Sequence, residues 1–244
     1  STVWLTADLH LGHGNIKNTV IDLFCPTKKK GTAGKGSGPA AWRVSDETIQ
    51  RHDDALLNAI NSLVQKKDKL WILGDFCLGK HDVAQAYLSR IHCRHVALVW
   101  GNHDHKSIGV IFTEAIQQGM IKISDRHIWL NHYPMRSWNK RNHGSWHLYG
   151  HVHNRLTEED EATPWRLTMD VGVDACDYRP LGFDAIQDHM QSEISHFEAH
   201  GPGGSRINLI SGPYRPLLGA SGMARRGGMP TAWSASSTFK QKHF

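Results

Sequence analysis

No apolar run in the 244-residue chain approaches the roughly 20 residues needed to cross a bilayer, so no membrane partner is expected. The opening stretch STVWLTADLH has neither the basic nor the apolar region of a signal peptide. Cysteine is scarce: Cys25, Cys77, Cys93 and Cys176 lie far apart, with no C-x-x-C pair. That excludes a disulfide framework and a zinc knuckle, and fits reduced thiols in the cytoplasm. Acidic residues are missing from 201–244, which hold Arg206, Arg215, Arg225, Arg226, Lys240 and Lys242. These are six of the chain's 28 basic residues; the other 22, against 23 acids, leave the body at −1. The formal +5 therefore belongs to a tail, and the near-neutral body makes no general case for nucleic-acid binding.

Two stretches lack periodicity. Residues 25–44, CPTKKKGTAGKGSGPAAWRV, are rich in Lys and Gly and read as a surface loop or insertion. A phosphate-binding P-loop is excluded there, because Lys29 stands where its first Gly belongs and Gly36 follows Lys35. Placed after the first strand, the loop could still border a site and attract an anion. From Gly201 onward, eight Gly and four Pro fall in 44 residues with no amphipathic run. The expected organisation is a domain over 1–200 followed by an extended C-terminal arm over 201–244.

The rest alternates strand and helix signals. TVWLTAD (2–8), KLWILGD (69–75) and HVALVWGNHD (95–104) read as buried strands that stop at polar residues. Ser45 is a candidate N-cap for a helix with Ile49, Leu56, Ile60, Leu63 and Val64 at helical spacing. DVAQAYLSRI (82–91) and SIGVIFTEAIQQG (107–119) are predicted helices, the second closed by Gly119. MIKIS, RHIWLNHY, WHLYGHVH and WRLTMDVGVD read as four more strands, and FDAIQDHMQSEISHFEAH (183–200) as a last helix. An α/β sandwich with a parallel start follows.

Histidine is abundant, at 18 residues, and its placement matters more than its number. Strand ends carry Asp8 and His10, then Asp75 after Gly74, then Gly101-Asn102-His103-Asp104, then His132, then Gly150-His151-Val152-His153. In α/β sheets the loops beyond the strand C-termini line the ligand crevice. Carboxylate with imidazole favours Mn, Fe, Co or Zn over the all-oxygen cages of Ca and Mg. Seven such groups are too many for one ion and suit two, with a carboxylate as the natural bridge.

The five blocks, in order, resemble the calcineurin-like metallophosphoesterase superfamily. DLHLGHGNI, NHYPMRSW, GHVHN and VGVDACDYRPLGFDAI are similar to those of its small bacterial and phage members. The resemblance implies a two-sheet β-sandwich flanked by helices. It also implies two divalent ions, manganese first, with iron, zinc, cobalt, nickel and magnesium as alternatives. Asp8, His10 and His153 would bind one ion, Asn102, His132 and His151 the other, and Asp75 would bridge them. A hydroxide held between the ions would attack phosphorus. His103 would donate a proton to the leaving oxygen, with Asp104 holding its imidazole in the right tautomer.

Other candidates weigh against plainer roles. His13 suits a substrate contact, an orienting group or a helix cap equally. Arg136, Arg155 and Arg179 could clamp a phosphate but suit surface ion pairs better; Arg136, four residues after His132, is the best of them. Trp138, Trp146 and Tyr178 could stack a base, with core packing the safer reading. ARRGG (224–228) is better read as a solvated tail than as an RNA-binding segment.

The expected activity is metal-dependent phosphoester hydrolysis, leaning to phosphodiesters of nucleotides or nucleic acids, with a phosphomonoesterase as the alternative. A second expectation, of another class, is a tail that docks this chain on another protein, as in a phage particle or multienzyme complex. The expected location is the cytoplasm of a bacterial or phage-infected cell, or a virion.

Overall fold

The computed structural model describes residues 1–14 and 45–201. The loop expected over 25–44 and the arm expected beyond Gly201 lie outside the described residues.

Strand β1 (Val3–Thr6) pairs in parallel with β2 (Lys69–Leu73), and β2 with β3 (His95–Val99). Alternate residues of these strands face opposite ways. Leu70, Ile72, Val96 and Leu98 enter one core, whereas Trp71, Leu73, Ala97 and Val99 enter another. Both faces are covered, which is why the strands read as unbroken apolar runs.

The first core packs the sheet against helix α1 (Asp46–Leu63) and helix α2 (His81–Ser89) through Leu56, Leu57, Ile60 and Ala84. Ser45 caps α1 as expected: its hydroxyl accepts from the Thr48 N–H at 3.2 Å.

The second core lies between this sheet and another. β5 (Gln118–Ile123), β6 (Arg126–Asn131), β7 (Trp146–Tyr149) and β8 (Thr168–Asp170) form the second sheet in that order. Ile128, Leu130, Trp146 and Leu148 face the first sheet, and helix α4 (Phe183–His200) adds Phe183, Ile186 and Met190. β9 (Leu181–Gly182) closes the first sheet antiparallel to β1. Among the described residues the fold is therefore the expected two-sheet sandwich flanked by helices. No helix among them is long and apolar enough to cross a membrane.

One expected element is absent. Instead of a helix over 107–119, Lys106–Ile111 form a 3-10 turn and β4 (Glu114–Ile116) pairs in parallel with β3. Two forces outweigh local helical spacing here. A Cβ on Gly109 would lie 2.5 Å from the Trp100 ring, so the chain packs closely at a residue that disfavours helix. The open edge of β3 also offers backbone groups that only a strand satisfies. The short helix α3 (Thr157–Ala162), TEEDEA, has no apolar face to announce it and was not anticipated.

Leu57 is 1% exposed and belongs wholly to the layer between α1 and the first sheet. Leu57→Ala should lower stability by about 2–5 kcal/mol, measured by urea unfolding, since a cavity adds to the lost transfer energy.

Candidate metal centre

The candidate ligands follow the C-terminal ends of parallel strands. Beyond β1 the chain keeps running beside the end of β2: Asp8 N donates to Gly74 O at 3.1 Å and His10 N to Asp75 O at 2.8 Å. Beyond β6 and β7, Gly150 N donates to His132 O at 3.0 Å. After β8 the chain crosses between sheets, with Val171 N on Tyr149 O and Val173 N on Ala7 O. The two sheets are thus joined at the end where the polar residues gather.

There the backbone is unusual. Asp8, His10, Asp75, His151 and His153 all have positive φ, between 46° and 72°. Each such residue costs of order 1–3 kcal/mol, and such costs concentrate at functional sites. Three glycines leave room for carboxylates: a Cβ on Gly101 would meet Asp75 Oδ1 at 2.2 Å, and one on Gly150 or Gly172 would meet Asp8 Oδ2 at 2.7 Å.

The structure brings the seven expected ligands together. Asp8, His10 and His153 offer ligand atoms within 4.8 Å of one another, and so do Asp75, His132 and His151. Asn102 joins the second group, its Oδ1 3.1 Å from His132 Nε2. Asp75 Oδ2 lies between the groups, 3.6 Å from His10 Nε2 and 3.4 Å from His132 Nε2.

A surrounding ring of partners holds these side chains. His132 Nδ1 faces Leu73 O at 2.8 Å, which leaves Nε2 toward Asp75. Asp174 Oδ2 meets His153 Nδ1 at 2.6 Å, and Asp8 Oδ2 accepts from His151 N at 2.8 Å. Asp170 accepts from Gly172 N and Asn154 N, steadying the loop after His153. From α1, buried Asp53 accepts Gly12 N at 3.0 Å and the Tyr87 hydroxyl at 2.6 Å, gripping the turn just past His10. Sequence reasoning assigned no role to Asp53, Asp170 or Asp174. An isolated acid carries no local signal that it will face a distant backbone amide.

Burial pushes Asp8 up to about 7, against the pull of His132 and His153. The His10 imidazole is pushed down to about 2, again chiefly by burial. Burial also acts upward on Asp75, but its hydrogen bond with His132 and that ring's charge hold it at about 2. Burial disfavours charge on His153, yet its Asp174 partner raises it above the usual imidazole value.

The donor set fits two divalent cations. Asp8 Oδ1 and His10 Nε2 are buried without a hydrogen-bond partner and sit where the two groups meet. An orphaned buried carboxylate oxygen is costly, and a coordinated cation compensates it.

The remaining candidates divide. Exposed His103 stands beside the cluster, its ring 5.3 Å from those of His10 and His13, and its N–H donates to Asp75 Oδ1 at 2.9 Å. Half-buried His13 completes a triangle of rings, 5.7 Å from His10. Asp104 corrects the expectation made for it. Its carboxylate accepts from Asp75 N, Phe76 N and Gly101 N at 2.8–2.9 Å, so it clamps the ends of β2 and β3 together instead of orienting the His103 ring. Arg136 is exposed and lines a cavity with Met135, His147 and Arg166. Arg179 is exposed, and its N–H donates to Cys176 O at 3.1 Å. Trp138 and Trp146 are buried, as packing residues should be. Tyr133, which the sequence did not single out, is 44% exposed with its ring 4.6 Å from His151.

Two sheets face to face, with paired Asp/His groups at their strand ends, define an α/β protein with a centre for two divalent ions. The particular family follows from comparison: a model described as calcineurin-like phosphoesterase matches residues 1–153, and the chain belongs to that family. It is a hydrolase acting on phosphoesters. An uncharacterized protein of Methanocaldococcus jannaschii is 28% identical over 186 residues, 75% of this chain and 88% of that protein. Gene 66 protein of Mycobacterium phage L5 is 24% identical over 206 residues, 72% of this chain and 87% of that one. A solved protein of unknown function from Aquifex aeolicus shares the fold, with TM-score 0.52 at 21% identity over 77% of this chain and 98% of the other.

Gly101→Ala would drive a Cβ into Asp75 Oδ1 and its backbone nitrogen, which stand 2.2 and 2.4 Å from that position. Metal analysis of the purified variant should show fewer than two ions per chain, with loss of activity in proportion.

Proposed function

We propose that this chain hydrolyses phosphodiesters of nucleotides or nucleic acids at two ions. Asp8, His10 and His153 would hold one, Asn102, His132 and His151 the other, and Asp75 would be shared. One observation carries the reading: a single oxygen, Asp75 Oδ2, is within 3.6 Å of a nitrogen from each group. Manganese leads the candidate metals because the donors mix carboxylate, amide and imidazole. When bound, such ions supply a nucleophile from water at neutral pH and neutralise charge growing on the phosphoryl oxygens.

The chain's own groups do the rest. His10, kept unprotonated by burial, presents a free nitrogen lone pair. His103, exposed beside the cluster with its backbone tied to Asp75, delivers a proton to the leaving oxygen. The exposed Tyr133 ring beside His151 offers a stacking face for a base, which supports a nucleotide substrate. The similarity to a phage gene product supports a phage-infected bacterial cell as the setting.

His103→Ala should retain both ions, by metal analysis, while kcat falls by about 100-fold or more. A variant that loses its ions instead would place His103 among the ligands.

A chelator should abolish turnover and Mn²⁺ should restore it. With Mn²⁺ present, an aryl diester, cyclic nucleotides and oligonucleotides should be hydrolysed faster than an aryl monoester. Turnover of the monoester alone would replace this reading with a phosphomonoesterase.

A further inference from the structure

The metal centre occupies the C-terminal ends of β6 and β7. At their other ends lies a cleft of about 450 Å³, lined by Arg126, His127, Lys140 and His143, with Asp125 as its one acid. Arg141 adjoins it in the chain. Four basic side chains therefore line one cleft, with a fifth beside it in sequence, on a body whose charges nearly cancel.

Several features suit an anion there. The Nε atoms of Arg126 and Arg141 are buried without a hydrogen-bond partner. Each guanidinium lies near an indole, Arg126 5.7 Å from the Trp146 ring and Arg141 5.6 Å from that of Trp138. Such packing restricts the guanidinium before any ligand arrives. Lys140 is held at φ 58°, in the left-handed region, and its Nζ reaches His127 Nε2 at 3.1 Å. Arg126 Nε has only the Asp125 carboxylate near it, at 3.8 Å, so buried donors without a hydrogen bond and a strained non-glycine residue mark a place where contacts are still to be made.

One phosphate is satisfied by one or two guanidinium groups. Here the cations are spread over the start of β6 and the segment leading into β7, around an open cleft, as a chain bearing several phosphates requires. We infer that this cleft binds the phosphate backbone of a nucleic-acid strand at a second site, apart from the metal centre. Arg126 and His132 are six residues apart along β6, or about 20 Å. At about 3.4 Å of rise per phosphate, a stacked strand of about six nucleotides spans that distance. The binding stands independently; its effect on catalysis rests on the phosphodiesterase reading.

The test is fluorescence anisotropy of the full-length, metal-loaded protein with a labelled phosphorothioate strand of about ten nucleotides, over a range of salt concentrations. Lys140→Gly removes a charge where glycine is the favoured backbone residue. It should weaken binding several-fold and lower the slope of log K against log salt by about 1. Arg141→Gln should act in the same direction. Asp125→Asn should tighten binding, a gain that misfolding cannot produce. Turnover of a small aryl diester should be unchanged in all three. Unaltered affinity and salt slope in the three variants would overturn the inference. So would tighter binding of a multiply phosphorylated peptide than of the strand. Cleft-dependent binding without any nucleic-acid hydrolysis would uphold this site and count against the phosphodiesterase reading instead.

Discussion

Everything at the functional end of this molecule depends on keeping the Asp75 carboxylate buried and ionised between two groups of imidazoles. Its Oδ2 faces His10 and His132, while Oδ1 accepts the His103 N–H. Taking a carboxylate out of water is expensive unless opposite charge or donors replace the lost hydration. His132 supplies part of that, and two cations would supply the rest. The carboxylate is also fixed in place, because Asp104 takes the backbone N–H groups of Asp75, Phe76 and Gly101 onto one side chain. The ends of β2 and β3 therefore cannot drift apart without exposing three amides and a charge.

Strain and support are arranged together. Five of the seven expected ligands adopt left-handed backbone, which strand pairing alone would not tolerate. What over-determines them comes from elsewhere: Asp53 on α1 holds the turn after His10, Asp174 holds His153, and Leu73 O holds His132. The passage from β8 to β1 joins the sheets at this end, so ligands from both sheets stand in one rigid frame. A stiff frame is what a two-ion site needs, since small displacements of positioned groups cost much of the rate.

Much of this was legible in the chain. Buried parallel strands show as short apolar runs that stop at polar residues, so Asp8, Asp75, Asn102, His132 and His151 were visible as strand-end groups. The periodicity of residues 46–63 and 183–200 gave those helices almost to the residue. The segment 107–119 misled, because helical spacing of Ile108, Ile111 and Ala115 is a local property. The open edge of β3 and the tight packing of Gly109 on Trp100 are tertiary ones. Asp104 is a different case: the resemblance assigned it to the His103 ring, and the three amides it holds come from residues near and far in sequence.

By itself, the sequence determined which chemical groups terminate the strands, since residue type and strand period are local and survive in one dimension. The tertiary structure shows how those groups divide in space, along the lines the resemblance implied. His151 and His153, two residues apart, fall into different groups because both residues have left-handed backbone, which breaks the alternation of a strand. The structure likewise decided that Asp104 clamps backbone. It also gathered Arg126 and Lys140, distant in sequence, into one basic cleft. Distances between residues far apart in the chain are set by register and sheet packing, and no pattern of neighbouring residues encodes them.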